Sequence, residues 1–188
     1  SENFYEDRLL VNQANINKKI EFKKNSIIKF EGIHTILMNH EGRSQQSIEE
    51  FEIIKKIVDQ LIGCEFTDFD QSKRKIDVDD ILIVSPYNVQ VNFLKERLIK
   101  DIRCGTIDKF QGMEAPIVII SMTSSSVEDL PRNKKFFFNR NRLNVAISRA
   151  QCSSIILLNP RLLESSPSDY EEFKLINNFH KLLKFQIN

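Results

Sequence analysis

The sequence predicts an α/β domain built on a mostly parallel sheet, and three observations predict it. Short runs at residues 81–84, 117–122 and 155–158 are almost wholly apolar. A strand covered on both faces of a parallel sheet reads this way, without polar alternation. Stretches with helical spacing separate these runs, which is the alternation expected of an α/β fold. Polar segments then begin at Ser85, at Gly105-Thr106 and at Ser121, the places where such strands end. Open parallel sheets bind ligands at the carboxyl ends of their strands.

Composition sets the outer limits. The chain has 188 residues, enough for one domain with a core or one domain plus extensions. Apolar residues make up 41%, charged residues 28%, and the formal net charge is +1. Bulk charge therefore points to no nucleic-acid partner, and any basic surface must be local. Cys64, Cys104 and Cys152 are scattered without metal-ligand spacing, and read as reduced, buried thiols. His34, His40 and His180 are isolated, so no metal site is expected. No apolar run approaches membrane-spanning length, and the acidic start Ser1-Glu2-Asn3-Phe4 is unlike a signal peptide. An intracellular protein without a membrane partner is expected. The absent initiator methionine reads as the mark of a fragment.

Taken in order, residues 1–30 read as an arm or lead-in segment, polar and weakly patterned, with Lys18, Lys19, Lys23 and Lys24 as a solvated charge run. Residues 32–38 read as a strand. Ser47 and Glu50 form a capping box, in which each side chain bonds the other residue's amide. Phe51, Ile54, Val58, Leu61 and Ile62 follow at helical spacing, predicting a helix over 48–62. The charged segment 68–80 reads as a loop. Residues 81–84 are a buried strand stopped by Pro86. A helix follows with Val89, Phe93, Leu94 and Leu98 on its apolar side. Residues 102–106 end another strand, 108–115 form a polar turn region, and 117–122 form the most apolar strand. A polar loop over 123–135 precedes a helix over 141–150. The strand 155–158 comes next, and a last helix over roughly 170–183 closes the chain.

The helix over 141–150 carries the most pointed chemistry. Leu143, Val145, Ala146, Ile147 and Ala150 supply its apolar contacts. Arg142 and Arg149 are about two turns apart, so both guanidinium groups would leave one side of the helix, close to Asn144 and Ser148. Such a pair can meet an anion, or it can be an ordinary solvated face. Other sites are missing. The sequence has no G-x-x-x-x-G-K-[ST] loop, and its five glycines build no phosphate cradle. Asp77-Val78-Asp79-Asp80 precedes its strand, whereas a magnesium-holding acid would follow one. The residues show no convincing nucleophile or paired-carboxylate arrangement.

Three ordered segments resemble one family. Ile83-Val84-Ser85-Pro86-Tyr87-Asn88-Val89-Gln90 resembles motif IV of superfamily 1 helicases. Gly105-Thr106-Ile107-Asp108-Lys109-Phe110-Gln111-Gly112-Met113-Glu114 resembles motif V, and Asn141-Arg142-Leu143-Asn144-Val145-Ala146-Ile147-Ser148-Arg149-Ala150 resembles motif VI. The branch is the one containing the nonsense-mediated-decay helicase and the nuclease-helicase of DNA replication. Phe4-Tyr5-Glu6-Asp7-Arg8-Leu9 is similar to the segment that enters the second motor domain. The resemblance implies a second RecA-like domain over 31–188, related to P-loop NTPases but lacking the P-loop itself.

It also implies functions for single residues. Arg149 would be the arginine finger at the γ-phosphate of ATP, and Arg142 a second cation that reaches phosphate or braces the site. Glu114 would accept from the ribose hydroxyls, unless it is a solvent carboxylate in a turn. Gly112 would permit that turn, and Gln111 would join the coupling network or bond only its own loop. Thr106, Ser85, Tyr87 and Asn88 would meet single-stranded DNA or RNA, with Tyr87 either stacking on a base or packed in its loop. Arg132-Asn133-Lys134-Lys135 would form a basic lip, and Phe136-Phe137-Phe138 would pack in the core or against another domain. ATP and Mg²⁺ would be held mainly by a first RecA-like domain of the same protein, so the isolated chain is expected to be inactive. Two other readings stay open: a RecA-like module that binds nucleic acid or protein without catalysis, and a small α/β enzyme.

Overall fold

A computed structural model describes residues 17–110, 112–131 and 140–164 together with residues 170, 173, 176 and 177, giving the backbone alone at 140 and 141. At its centre lies a five-stranded sheet in the order β2-β8-β7-β5-β6, every neighbouring pair parallel. Its strands are β2 (Gly32–Leu37), β5 (Ile81–Val84), β6 (Arg103–Gly105), β7 (Ala115–Ser121) and β8 (Ala150–Leu158). A smaller antiparallel sheet joins β1 (Lys19–Glu21), β3 (Glu65–Thr67) and β4 (Lys73–Lys75) in the order β1-β3-β4. The helices are α1 (Ile48–Leu61), α2 (Asn88–Arg97) and α3 (Arg140–Ser148).

The apolar runs are uniform because both faces of the large sheet are covered. Ile81, Ile83, Ile117, Ile119, Ile155 and Leu157 enter one core with α1, α2 and the small sheet. Leu82, Val84, Val118, Ile120, Ile156 and Leu158 enter a second core with α3. Successive side chains alternate between faces, so the period of two is hidden when both faces are dry. Each such side chain contributes about 1.5–3 kcal/mol on burial.

Several local expectations need correction. Ser47 caps α1, its Oγ accepting from the Glu50 amide at 3.1 Å. The reciprocal bond of a capping box is not made. The Ser47 amide donates instead to Gln90 Oε1 at 3.0 Å, and Glu50 is fully buried. The same Gln90 sets the phase of α2. Its amide also donates to Ser47 O at 3.2 Å and Ser121 Oγ at 3.1 Å, so Gln90, Val91 and Leu94 face inward. Val89, expected in the core, is 46% exposed.

Part of the expected arm is a strand: Ile20 in β1 pairs with Phe66 in β3, and both are buried with Ile28. Residues 1–16 lie outside the described residues. The expected loop over 68–80 contains β4 and a 3₁₀ turn, Val78–Asp80. It closes because Arg74 binds the Asp80 carboxylate through two bonds of 2.5 Å and lies over the Phe66 ring at 4.8 Å. A planar guanidinium can do both at once. Cys64, Cys104 and Cys152 are free thiols, the first two buried as expected and Cys152 only half-buried, and burial pushes Cys104 and Cys152 up to about 12. Residues 170, 173, 176 and 177 are helical where the last helix was expected, and Ile176 reaches the second core. Gln111, the basic segment 132–135 and the phenylalanines 136–138 lie outside the described residues.

Candidate functional site

The helix bearing the arginines is shorter than its sequence pattern implies. It ends at Ser148, and β8 already begins at Ala150. The Arg149 carbonyl accepts from the Ala115 amide at 3.0 Å, which draws it out of the helix and into the sheet. The Arg149 amide closes back onto Ala146 O at 3.3 Å as the final turn. The two arginines therefore do not share one helical face: Arg142 sits on α3, and Arg149 sits in the link to β8. Leu143, Ala146 and Ile147 anchor α3 to the second core. Arg142 forms an ion pair with Asp108 at 3.2 Å. Arg149 Nε and Asn144 Oδ1 are buried without a hydrogen-bond partner among the described residues.

The segment from β6 to β7 connects the two ends of the sheet. Gly105 permits close packing, since a Cβ there would lie 2.8 Å from the Phe110 ring. Gly112 answers a different need: its φ is +81°, and nothing lies within 4 Å of a would-be Cβ. The left-handed turn, rather than space, requires glycine there. Gly105 is level with Val84, and Val84 with Ile120, whereas Ala115 stands five residues earlier along β7. At ~3.3 Å per residue the chain therefore travels ~16 Å between Gly105 and Ala115, from the carboxyl end of the sheet to the amino end.

This crossing divides the candidate residues into two groups. Glu114, exposed, lies beside Arg149 at the amino end, because Ala115 bonds Arg149 directly. Glu114 Oε2 accepts from Gln151 Nε2 at 3.2 Å. Gln151 gave no signal in the sequence. Thr106, Ser85, Tyr87 and Asn88 occupy the carboxyl end. The segment that begins at Gly105-Thr106, at a carboxyl end as expected, thus finishes at the opposite end of the sheet.

Within the second group, access differs. Ser85 is fully buried, and its Oγ accepts from the Tyr87 amide at 3.4 Å. It supports the turn. Tyr87 is partly buried, packs against the second core, and its hydroxyl pairs with Ser124 Oγ at 3.2 Å. Burial pushes its phenol upward. Asn88 is exposed and Thr106 partly so. α2 begins at Asn88 with neither a side-chain cap nor an acid in its first turn, which leaves helix amides for an anion.

Below these residues lies a polar network that the sequence did not announce. Glu50 Oε1 accepts from the Thr123 amide at 2.9 Å and faces His40 Nε2 at 3.3 Å, while Oε2 accepts from Ser121 Oγ at 2.5 Å. His40 Nδ1 meets Ser125 Oγ at 2.7 Å, and Asn159 donates to the His40 carbonyl at 2.7 Å. His40 is therefore not isolated, and the first four residues of the expected polar loop, Thr123 to Ser126, are buried, while Glu128 further along it is exposed. Thr123 holds a φ of +63°, a strained value for a β-branched residue, pinned by its bond to Glu50. Burial pushes the Glu50 carboxyl above its ordinary range while its donors pull it down. The signal that could have exposed this network was the Ser/Thr run after β7 together with a glutamine inside an apolar helix phase. Among the described residues no group of three or more His, Cys, Asp or Glu side chains could hold a metal ion. No helix among them is long and apolar enough to cross a membrane.

The parallel sheet flanked by helices on both faces is a RecA-like α/β domain. A family model described as an AAA domain matches residues 1–161. The chain belongs to this family, the carboxyl-terminal region of superfamily 1 helicases. It is 34% identical over 117 residues to an uncharacterized ATP-dependent helicase of Caenorhabditis elegans, covering 62% of this chain and 7% of that protein. It is 37% identical over 99 residues to a probable RNA helicase of Drosophila melanogaster, covering 48% of this chain and 8% of the relative. It is 27% identical over 136 residues to a DNA replication ATP-dependent helicase/nuclease of Arabidopsis thaliana, covering 70% of this chain and 10% of the relative. The chain is thus a helicase-family domain that spans a small fraction of these curated relatives.

Proposed function

We propose that the chain is the second motor domain of an ATP-dependent helicase, presenting an arginine finger to nucleotide held by a first RecA-like domain. The observation that carries this reading is the bond between the Ala115 amide and the Arg149 carbonyl at 3.0 Å. It brings the backbone next to Glu114, an exposed carboxylate, against that of Arg149, whose buried Nε has no partner among the described residues. One cation and one acid suit a nucleotide, which offers phosphate oxygens to the first and sugar hydroxyls to the second. Arg149 would stabilise the negative charge that develops on the transferred phosphoryl group. Arg142, paired with Asp108, would brace motif VI against motif V rather than reach phosphate. Gly112 would hold the turn that brings Glu114 round, and Gln111 falls in the same segment. The phosphate-binding loop and Mg²⁺ would belong to the first domain, since no cluster of oxygen ligands is found among the described residues.

Single-stranded DNA or RNA would cross the carboxyl end of the sheet. Thr106, Asn88 and the uncapped amides of α2 suit backbone phosphates, which favours sequence-tolerant gripping. Closure of the two domains on ATP and reopening after hydrolysis would move the strand. The direct test is Arg149→Ala in the intact protein. Nucleic-acid-stimulated ATPase should fall by about 10³-fold or more. ATPase at the normal rate in that variant would sink the arginine-finger assignment. The isolated 188-residue chain should show no ATPase.

A further inference from the structure

Gln151 stands at the start of β8, two residues after Arg149, and its two amide atoms are committed to different partners. Its Nε2 donates to Glu114 Oε2 at 3.2 Å, and its Oε1 accepts from Lys18 Nζ at 3.0 Å. The Lys18 side chain is only 9% exposed and lies 3.6 Å from Asp68. An ammonium has donors alone and a carboxylate has acceptors alone. The amide between them therefore has one favourable orientation. Turned over, it would set nitrogen against the ammonium and oxygen against the carboxylate. Lys18 thus fixes Gln151, and Gln151 fixes one oxygen of a glutamate that is otherwise exposed on a turn. The other oxygen, Oε1, keeps its capacity to accept from a ligand.

We infer that Gln151, locked by Lys18, is a positioning residue that aims Glu114 at the sugar of a bound nucleotide and sets how much the sugar hydroxyls contribute to binding. This rests on the reading of Glu114 given above. An unrestrained glutamate on an exposed turn would lose rotamer freedom on each binding event. Gln151 removes that loss in advance, and Lys18 and Asp68 carry the restraint back into the small antiparallel sheet. The arrangement makes sugar recognition depend on residues that touch no nucleotide.

The experiment uses the intact protein and two probes, ATP and 2′,3′-dideoxy-ATP, with KM and kcat measured for each. Gln151→Leu should raise KM for ATP about 3- to 10-fold, the worth of one ordered hydrogen bond, and lower kcat by less. KM for the dideoxy nucleotide, which has no hydroxyl for Glu114, should stay within about 2-fold of wild type. Lys18→Met should move the same ratio in the same direction by less, and it carries the test if leucine at 151 prevents folding. Combining Glu114→Ala with Gln151→Leu should be no worse than Glu114→Ala alone. Equal shifts for both nucleotides, or full additivity with Glu114→Ala, would overturn the inference and leave Gln151 as scaffold. If Glu114→Ala itself leaves KM for ATP unchanged, the ribose reading of Glu114 fails. That failure is read from a different variant and is distinguishable from failure of the positioning claim.

Discussion

Two glutamates, one near each end of the same sheet, have opposite environments. Glu50 is fully buried below the carboxyl end, with Ser121, Thr123 and His40 turned toward it. Glu114 is exposed at the amino end, with one oxygen held by Gln151. A carboxylate whose neighbours satisfy it is part of the scaffold. One left exposed with spare acceptor capacity can still accept from a ligand. The contrast teaches that residue type alone does not mark a site. What marks it is how much hydrogen-bonding capacity the fold leaves unspent.

The largest effect expected on this comparison is on stability. Glu50→Ala would strand three inward-facing polar groups and should cost about 3 kcal/mol by denaturant titration. Glu114→Ala should stay within about 0.5 kcal/mol of wild type, as exposed substitutions do. Equal losses at the two positions would break the comparison. Titration sharpens it. Burial raises the Glu50 carboxyl above 4.5, so its protonated form favours the fold. That stability is fully present below 4.5 and is lost as pH rises through the raised value. Melting temperatures of wild type and Glu50→Gln, followed upward from pH 4, should therefore diverge, with wild type losing ground relative to the variant.

A smaller effect separates the two glycines of the crossing segment. Gly105→Ala drives a methyl against the Phe110 ring and should cost about 1–3 kcal/mol, because that ring belongs to the second core. Gly112→Ala meets open space and should cost about 1 kcal/mol, from its left-handed backbone alone. The smallest effect concerns Arg43, which binds Glu49 at 2.7 Å and draws its carboxyl down to about 2. A depressed carboxyl contributes stability above 4.5 that disappears as pH falls toward 2. Both side chains are about one-third exposed or more, and solvent screens the pair. Arg43→Ala should lower the melting temperature only slightly near pH 7, and the difference from wild type should vanish by pH 2 in thermal melts.

The central sheet was legible because strands such as β5 and β7 are apolar on both faces, which few alternatives can explain. The arginines and Glu114 were legible as motifs, but their grouping was not. Motif spacing measures distance along the chain, and residues 106–114 turn that distance into a passage from one end of the sheet to the other. Arg149 falls inside the helix that the apolar residues from Leu143 to Ala150 predict. A single sheet bond from Ala115 outweighed that local preference. The Glu50 network stayed hidden because its members come from β2, α1, α2, β7 and β8 or the turns that follow them, and no one window contains them. Gln151 was invisible for a similar reason, since its meaning lies in a lysine 133 positions away.

The pairing of β7 with β8 changes register at Pro116: Ala115 faces Ala150, yet Ile117 faces Ser153. Pro116 has no amide hydrogen to give the ladder, and β8 holds one extra residue opposite it. That extra residue acts as a clutch between two registers, the core's and the site's. Deleting one residue at 151 or 152 would leave the pairing from Ile117 onward intact. It would, however, turn the preceding side chains to the opposite face. The core pairing would remain while Arg149 and Ala150 turned to the other face, so one deletion here would separate the placement of the arginine from folding.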